Sequence, residues 1–266
     1  MKRRQLVELE DLSWWPRTFR DAATDYLATS MRVARAHEAI VPVLAPALTR
    51  VRATHVVDLC SGAGGPWAAL LPALRTAGVD VRVLLTDRFP NHAALGAVAA
   101  ATPGIDVEAA PVDALDVPER LAGFRTIFMA LHHFAPAEAR EILASAVRAR
   151  EGMAVIEGVS RTPAGLGVMA AVPLAVWLLT PAIRPFRWSR LFWTYLVPVL
   201  PLAILFDGVV SALRVYTPAE MLAMAAGVPG GDAYDWDAGV LQPKGAPVGV
   251  PYLIGVPREP VAAPGR

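Results

Sequence analysis

The sequence predicts an α/β protein: a doubly wound, mostly parallel sheet, preceded by helices and interrupted by an apolar helical insertion. Three observations carry this. In Val56-Val57-Asp58-Leu59-Cys60-Ser61-Gly62-Ala63-Gly64-Gly65, β-branched residues run into an acid and a small-residue turn, with Pro66-Trp67 and an apolar helix pattern behind. That is a buried strand, a tight glycine turn and a helix start. Strand-like and helix-like segments then alternate over 54–158, which implies parallel strands with helices on both faces. Acids also follow successive apolar runs: Asp87 after 83–86, 23 residues beyond Gly64, and Asp113 after 105–112. Acids at successive strand ends face one crevice above a parallel sheet.

Composition narrows the class. The 266 residues suit one large α/β domain with an insertion. Hydrophobic residues make up 55% and charged residues only 18%, an excess that needs a structural reason. The net charge of +1 implies no general nucleic-acid field, so DNA is not expected as a partner. One cysteine excludes an internal disulfide and disfavours a cysteine metal cluster, and the histidines show no ligand spacing, so no metal is expected. Glu8, Glu10 and Asp11 interrupt the basic start, which argues against a secretory signal. The expected compartment is the cytoplasm or the membrane face bordering it.

Residues 1–50 read as a helical cap. A helix is expected over 21–36, with Tyr26, Ala28 and Met31 near one face, and a second near 38–49, broken by Pro42 and Pro46. Trp14 and Tyr26 are candidate substrate contacts from this segment, and Arg17 and Arg20 could reach a ligand carboxylate. The core spans 51–159, with strands near 54–60, 80–87, 105–111, 125–131 and 152–158. Helices are expected near 66–77, 90–101 and 135–149. The last carries Pro136, Glu138 and Glu141 early and Arg148 and Arg150 late, matching the helix dipole. From 216 to 257 the globular pattern returns. Thr217-Pro218-Ala219-Glu220 is a capping box with proline at the first helical position, and Gly227 ends the helix. Residues 234–241 and 251–256 would form a closing antiparallel hairpin, and the tail 258–266 is expected to be loose.

The insertion, 160–215, explains the hydrophobic excess. Residues 165–183 and 191–206 carry no charge, each run is interrupted by prolines, and Arg184-Pro185-Phe186-Arg187-Trp188-Ser189-Arg190 joins them. Left in water, these side chains would cost roughly 1.5–3 kcal/mol each. They must be buried in something. A hairpin dipping into one leaflet, with the basic and aromatic loop at headgroup level, is one reading. A lid on the protein's own core is another. Full spanning is disfavoured, because a span needs about 20 apolar residues. Both favoured readings predict a greasy pocket and leave open peripheral or monotopic membrane contact through 165–206.

Strand and glycine turn, Asp87, Asp113, Leu131-His132-His133 and Glu157-Gly158 together resemble the class I S-adenosylmethionine-dependent methyltransferases. The first motif departs at Cys60, which stands where the family has its first glycine, while Gly62 and Gly64 match. The resemblance implies a Rossmann-like, seven-stranded sheet with its last strand antiparallel, and S-adenosylmethionine as cofactor. It implies that Asp58, Gly62 and Gly64 surround the methionine part of the cofactor, that Asp87 holds the ribose hydroxyls, that Asp113 with Ala114 lies at the adenine edge, and that Leu131 lines the transfer pocket. Cys60, Ser61 and Arg88 are further candidate cofactor contacts. His132 and His133, just past the fourth strand, are candidate general bases. Glu157, ending the fifth, is a candidate substrate contact. With the insertion, the expected activity is methyl transfer to a hydrophobic small-molecule or lipid-like acceptor.

Two alternatives stay open. The first motif is also similar to that of some RNA methyltransferases, although the chain has only Lys2 and Lys244 to meet a phosphate backbone. A membrane-associated binding module could keep the fold without turnover. A dehydrogenase fits worst, because the turn is not Gly-x-Gly-x-x-Gly.

Overall fold

A computed structural model describes residues 1–258; the expected tail lies, from 259 on, outside the described residues. The chain runs α1 (Arg17–Val33), α2 (His37–Arg50), β1 (His55–Leu59), α3 (Trp67–Thr76), β2 (Arg82–Leu85), α4 (His92–Ala101), β3 (Ile105–Val107), β4 (Phe124–Phe128), α5 (Pro136–Arg148) and β5 (Met153–Ile156). The insertion contributes α6 (Pro163–Met169), α7 (Val172–Leu179), α8 (Trp188–Leu191) and α9 (Val199–Arg214). Then come α10 (Pro218–Ala226), β6 (Tyr234–Leu241) and β7 (Val250–Pro257).

The seven strands lie in the order β3-β2-β1-β4-β5-β7-β6. The first five are parallel, and β7 joins β5 antiparallel. The expected Rossmann-like sheet with its closing hairpin is therefore present. Strand order reverses between β1 and β4, which opens a crevice above their C-terminal ends. One face buries Ile127 and Val155 under Ile142 of α5 and Met221 of α10. The other buries Val56 and Phe124 under Leu44 of α2, Leu70 of α3 and Leu95 of α4. Helix α2 thus belongs to the core layer rather than to a cap. Contrary to expectation it is continuous through Pro42 and Pro46, held by burial of Ile40, Leu44, Ala47 and Leu48. The Thr217 capping box forms, with Thr217 Oγ1 accepting from the Glu220 amide.

The insertion packs its inner face on α1 through Tyr26, Val176, Ile183 and Ile204. No single helix among the described residues is long and apolar enough to cross a membrane, although two bent pairs pass that test together. The outer face leaves Leu178, Trp188, Leu196 and Leu202 more than 60% exposed. The joining loop differs from expectation. Arg190 is buried and pairs with buried Asp25, and Arg187 reaches Asp21 at 3.3 Å, so only Arg184 of its three arginines stays exposed. Two acids on α1 draw the other two inward.

Replacing Asp25 by Ala leaves the Arg190 guanidinium buried without its acid, a loss of about 3–5 kcal/mol. Urea unfolding should show that loss, and limited proteolysis should show faster cleavage within 160–215. Unchanged stability and cleavage would mean that another contact docks the insertion.

Candidate functional site

The turn after β1 is built from residues that tolerate a left-handed backbone. Gly62, Gly64 and Gly65 have φ of 55°, 95° and 48°, and Cys60 has 58°. Cys60 therefore occupies a glycine conformation with a side chain, a strained arrangement. Burial and three neighbouring aspartates push its thiol pKa well up, so it is no thiolate nucleophile.

Asp58 holds the turn from below. Its carboxylate accepts from the Ser61 and Thr126 hydroxyls, both at 2.6 Å. Ser61 and Thr86 stitch the turn to the end of β2, with Ser61 N donating to Thr86 O at 2.9 Å. Asp87 holds the turn from the side, its two oxygens accepting from Gly62 N and Phe89 N at 2.7 Å each. Each oxygen keeps a lone pair for a further donor.

Above this turn lies a cavity of about 500 Å³. Its walls include Cys60, Ser61, Gly62, Asp87, Arg88, Asp113 and Ala114, so the structure brings these residues together. Asp113 Oδ1 accepts from Leu115 N at 3.0 Å, and Arg88 Nε lies 3.6 Å from its other oxygen. Arg20 also lines this cavity, its guanidinium 4.4 Å above the Phe89 ring. Seven expected residues are not on this wall: His132 and Tyr26 line another cavity, Glu157 holds His132, and the other four lie apart. Asp58 is sealed beneath the turn, Gly64 faces Val98 of α4, Leu131 is buried in the core, and Trp14 is 70% exposed beside Trp15.

A second cavity, of about 170 Å³, lies beneath the insertion. Tyr26, Met169, Val172 and Ile204 give it apolar walls. Leu27, Met129, Glu10 and His133 line both cavities, so the two adjoin. Burial pushes the Glu10 carboxyl up to about 8, so it is protonated at neutral pH. His132 lines only the second cavity. Glu157 grips it twice, accepting from its backbone N at 3.0 Å and sitting 2.7 Å from Nδ1. Glu157 is therefore not a substrate contact: it is 1% exposed and positions His132. His133 Nδ1 lies 2.7 Å from Asp11. Burial opposes charge on His133, but Glu8 and Asp11 outweigh it and hold the imidazole up at about 9. Protonated at neutral pH, it is not a free base.

Sequence reasoning missed the N-terminal strap. Gln5, Leu6, Val7 and Leu12 line the larger cavity. The strap is laced to α9: Leu9 N donates to Asp207 at 2.7 Å, Ser211 Oγ to Glu8 at 2.8 Å, and Arg214 pairs with Asp11. The available signal was Glu8, Glu10 and Asp11, three acids clustered in a chain with few charges.

Burial pushes the Asp58 carboxyl up to about 6, despite its hydroxyl donors. Unfolded, it titrates near about 3.9. Between these values the folded chain holds a proton that the unfolded chain has released. Stability therefore falls as pH rises from about 4 to about 6, and this contribution is flat above. Asp58→Asn should remove that fall in urea unfolding across the range; an identical slope in both proteins would contradict the assignment.

No protein-family model and no curated protein matches the sequence. Solved structures do match the fold. One is an O-methyltransferase family protein from Burkholderia thailandensis: 15% identity, TM-score 0.50, covering 87% of this chain and 59% of that one. Another is mitomycin 7-O-methyltransferase, at 16% identity and TM-score 0.47, covering 90% of this chain and 54% of that one. The chain thus spans under two thirds of the length of either. Strand order, closing hairpin and the first of these likenesses identify the fold of this chain as that of the class I S-adenosylmethionine-dependent methyltransferases.

Proposed function

We propose that the protein transfers a methyl group from S-adenosylmethionine to a hydrophobic small-molecule or lipid-like acceptor, working at the cytoplasmic face of a membrane. The observation that carries this is the pairing of two cavities: a glycine turn with acids on one side, an apolar chamber beneath the insertion on the other.

The larger cavity fits the cofactor chemically. Its glycine turn keeps backbone close and bare, Asp87 offers two acceptors to a diol, and Asp113 sits at the far side. At about 500 Å³ it falls in the range of small-molecule sites. When bound, S-adenosylmethionine supplies a methyl already activated by its sulfonium, so the protein must chiefly align and dehydrate. Met129 and Leu27 line both cavities beside Glu10 and His133 and give the junction between them an apolar side. The strap covers the larger cavity with Leu6, Val7 and Leu12 and limits water. In the second cavity Nδ1 of each histidine is engaged by an acid, so only the Nε2 atoms can meet an acceptor.

The exposed outer face of the insertion supports a lipid origin for the acceptor. Trp177, Leu178, Phe186, Trp188, Leu196 and Phe206 form an apolar surface of a kind that water does not favour. Aromatic side chains with Arg184 beside them suit the headgroup level.

Calorimetry with S-adenosylhomocysteine should show one site per chain with Kd on the order of micromolar, about −8 kcal/mol. Asp87→Ala should weaken it at least about tenfold, or 1.4 kcal/mol. Absence of heat at millimolar ligand would remove the methyl-transfer reading. In a separate measurement, the protein should pellet with anionic phospholipid vesicles, and Leu178→Ser with Trp188→Ser should release it. A protein that stays in the supernatant would leave the insertion as a lid alone.

A further inference from the structure

Three side chains from distant parts of the chain meet on the wall of the second cavity. Glu8 comes from the strap, and His132 and His133 from the short turn after β4. His132 Nε2 lies 3.7 Å from Glu8 Oε1, and His133 Nε2 lies 3.8 Å from Glu8 Oε2. One donor atom from each of the three falls within 4.8 Å of the others. The far nitrogen of each imidazole is held by an acid at 2.7 Å, Glu157 for His132 and Asp11 for His133. This is how metal-binding histidines are built: Nδ1–H locked on a carboxylate, the Nε2 lone pair aimed at the ion.

Glu8 supplies the second, independent observation. It is 2% exposed, yet its Oε1 accepts no hydrogen bond. A buried carboxylate oxygen without a donor is costly. Arg214 Nη1 comes to 3.3 Å of that oxygen and balances its charge, while three of the five guanidinium N–H groups go to the carbonyls of His132 and His133 and to Asp11. Ser211 fixes the other Glu8 oxygen at 2.8 Å.

We propose that Glu8, His132 and His133 bind a first-row divalent cation of the zinc type on the wall of the acceptor cavity. Two imidazoles and one carboxylate suit zinc, iron, cobalt or manganese better than calcium or magnesium, which take oxygen ligands. Tetrahedral ligands at about 2.0–2.2 Å stand roughly 3.4 Å apart. Glu8 meets the two imidazoles through different oxygens, at 3.7 and 3.8 Å, and one ligand atom from each residue lies within 4.8 Å of the others, so the side chains draw in as the ion binds. Three protein ligands leave a position open to the cavity, where an oxygen of the acceptor would bind. Binding of the ion releases the proton that His133 carries at neutral pH, and it takes the His132 Nε2 lone pair that would otherwise receive an acceptor's proton, so the two uses exclude each other. Occupation of the site does not depend on methyl transfer, and it is read by binding alone.

The test uses the full chain, stripped with a chelator and titrated with Co²⁺. One equivalent should bind per chain with a visible absorption band, and Zn²⁺ should displace it. Glu8→Gln should weaken binding by about 100-fold or more, and Glu157→Gln by about 10–100-fold. Circular dichroism should match the wild type in both variants and report on their folding. Proton NMR of the wild-type Co²⁺ form guards against a variant that does not fold: it should show two strongly shifted imidazole N–H signals. Failure to retain Co²⁺ or Zn²⁺ at about 0.1 mM, unchanged affinity in folded Glu8→Gln, or an absence of shifted imidazole signals would each overturn the site. Failure of S-adenosylhomocysteine to bind the wild type would instead strike the methyl-transfer reading and leave the metal site standing.

Discussion

The hydrogen bond from Gly62 N to Asp87 sets the position of everything above the sheet. It ties the turn after β1 to the end of β2, so that bare backbone and a carboxylate face the same space. Asp58 completes the arrangement from beneath through the Ser61 and Thr126 hydroxyls. The family-like acid at the end of β1 is therefore a foundation for the turn. Its burial explains both its raised pKa and its distance from the cavity.

A second constraint organises the outer parts. The strap and the insertion are held by charges taken out of water. Arg190 with Asp25 docks the insertion on α1, and Arg214 with Asp11 and Glu8 docks the strap on α9. Buried pairs add little net stability but are costly to break. They fix geometry, and here they fix the roof over two adjoining cavities. Helix α9 carries strap contacts on one side, at Asp207 and Ser211, and exposed Leu202 and Phe206 on the other. The roof of the site and the apolar outer surface are thus two faces of the same helix.

Much of this was legible in the residues. Alternation over 54–158, the capping box at Thr217 and the closing strands are local patterns, and local physics formed them. Asp87 and Asp113 were legible because strand ends in a parallel sheet face one crevice. What escaped was long-range. Nothing near Glu157 reveals that both its oxygens serve His132, which lies on the neighbouring strand's exit. Nothing near Arg190 reveals Asp25, 165 positions away. Pro42 and Pro46 read as breaks, yet burial of the apolar face of α2 outweighs them. Trp14 read as a candidate substrate contact, but here it meets Trp15 edge-on at the surface. The clustering of Glu8, His132 and His133 needed three segments to fold first, so sequence spacing had no means of showing it.

The most direct measurement is a crystal structure of the complex with S-adenosylhomocysteine. Its ribose hydroxyls should lie within hydrogen-bonding distance of Asp87, its base beside Asp113, and its sulfur should point past Met129 into the chamber beneath the insertion. A ligand bound elsewhere, or one whose sulfur faces away from that chamber, would contradict the shared purpose assigned to the two cavities.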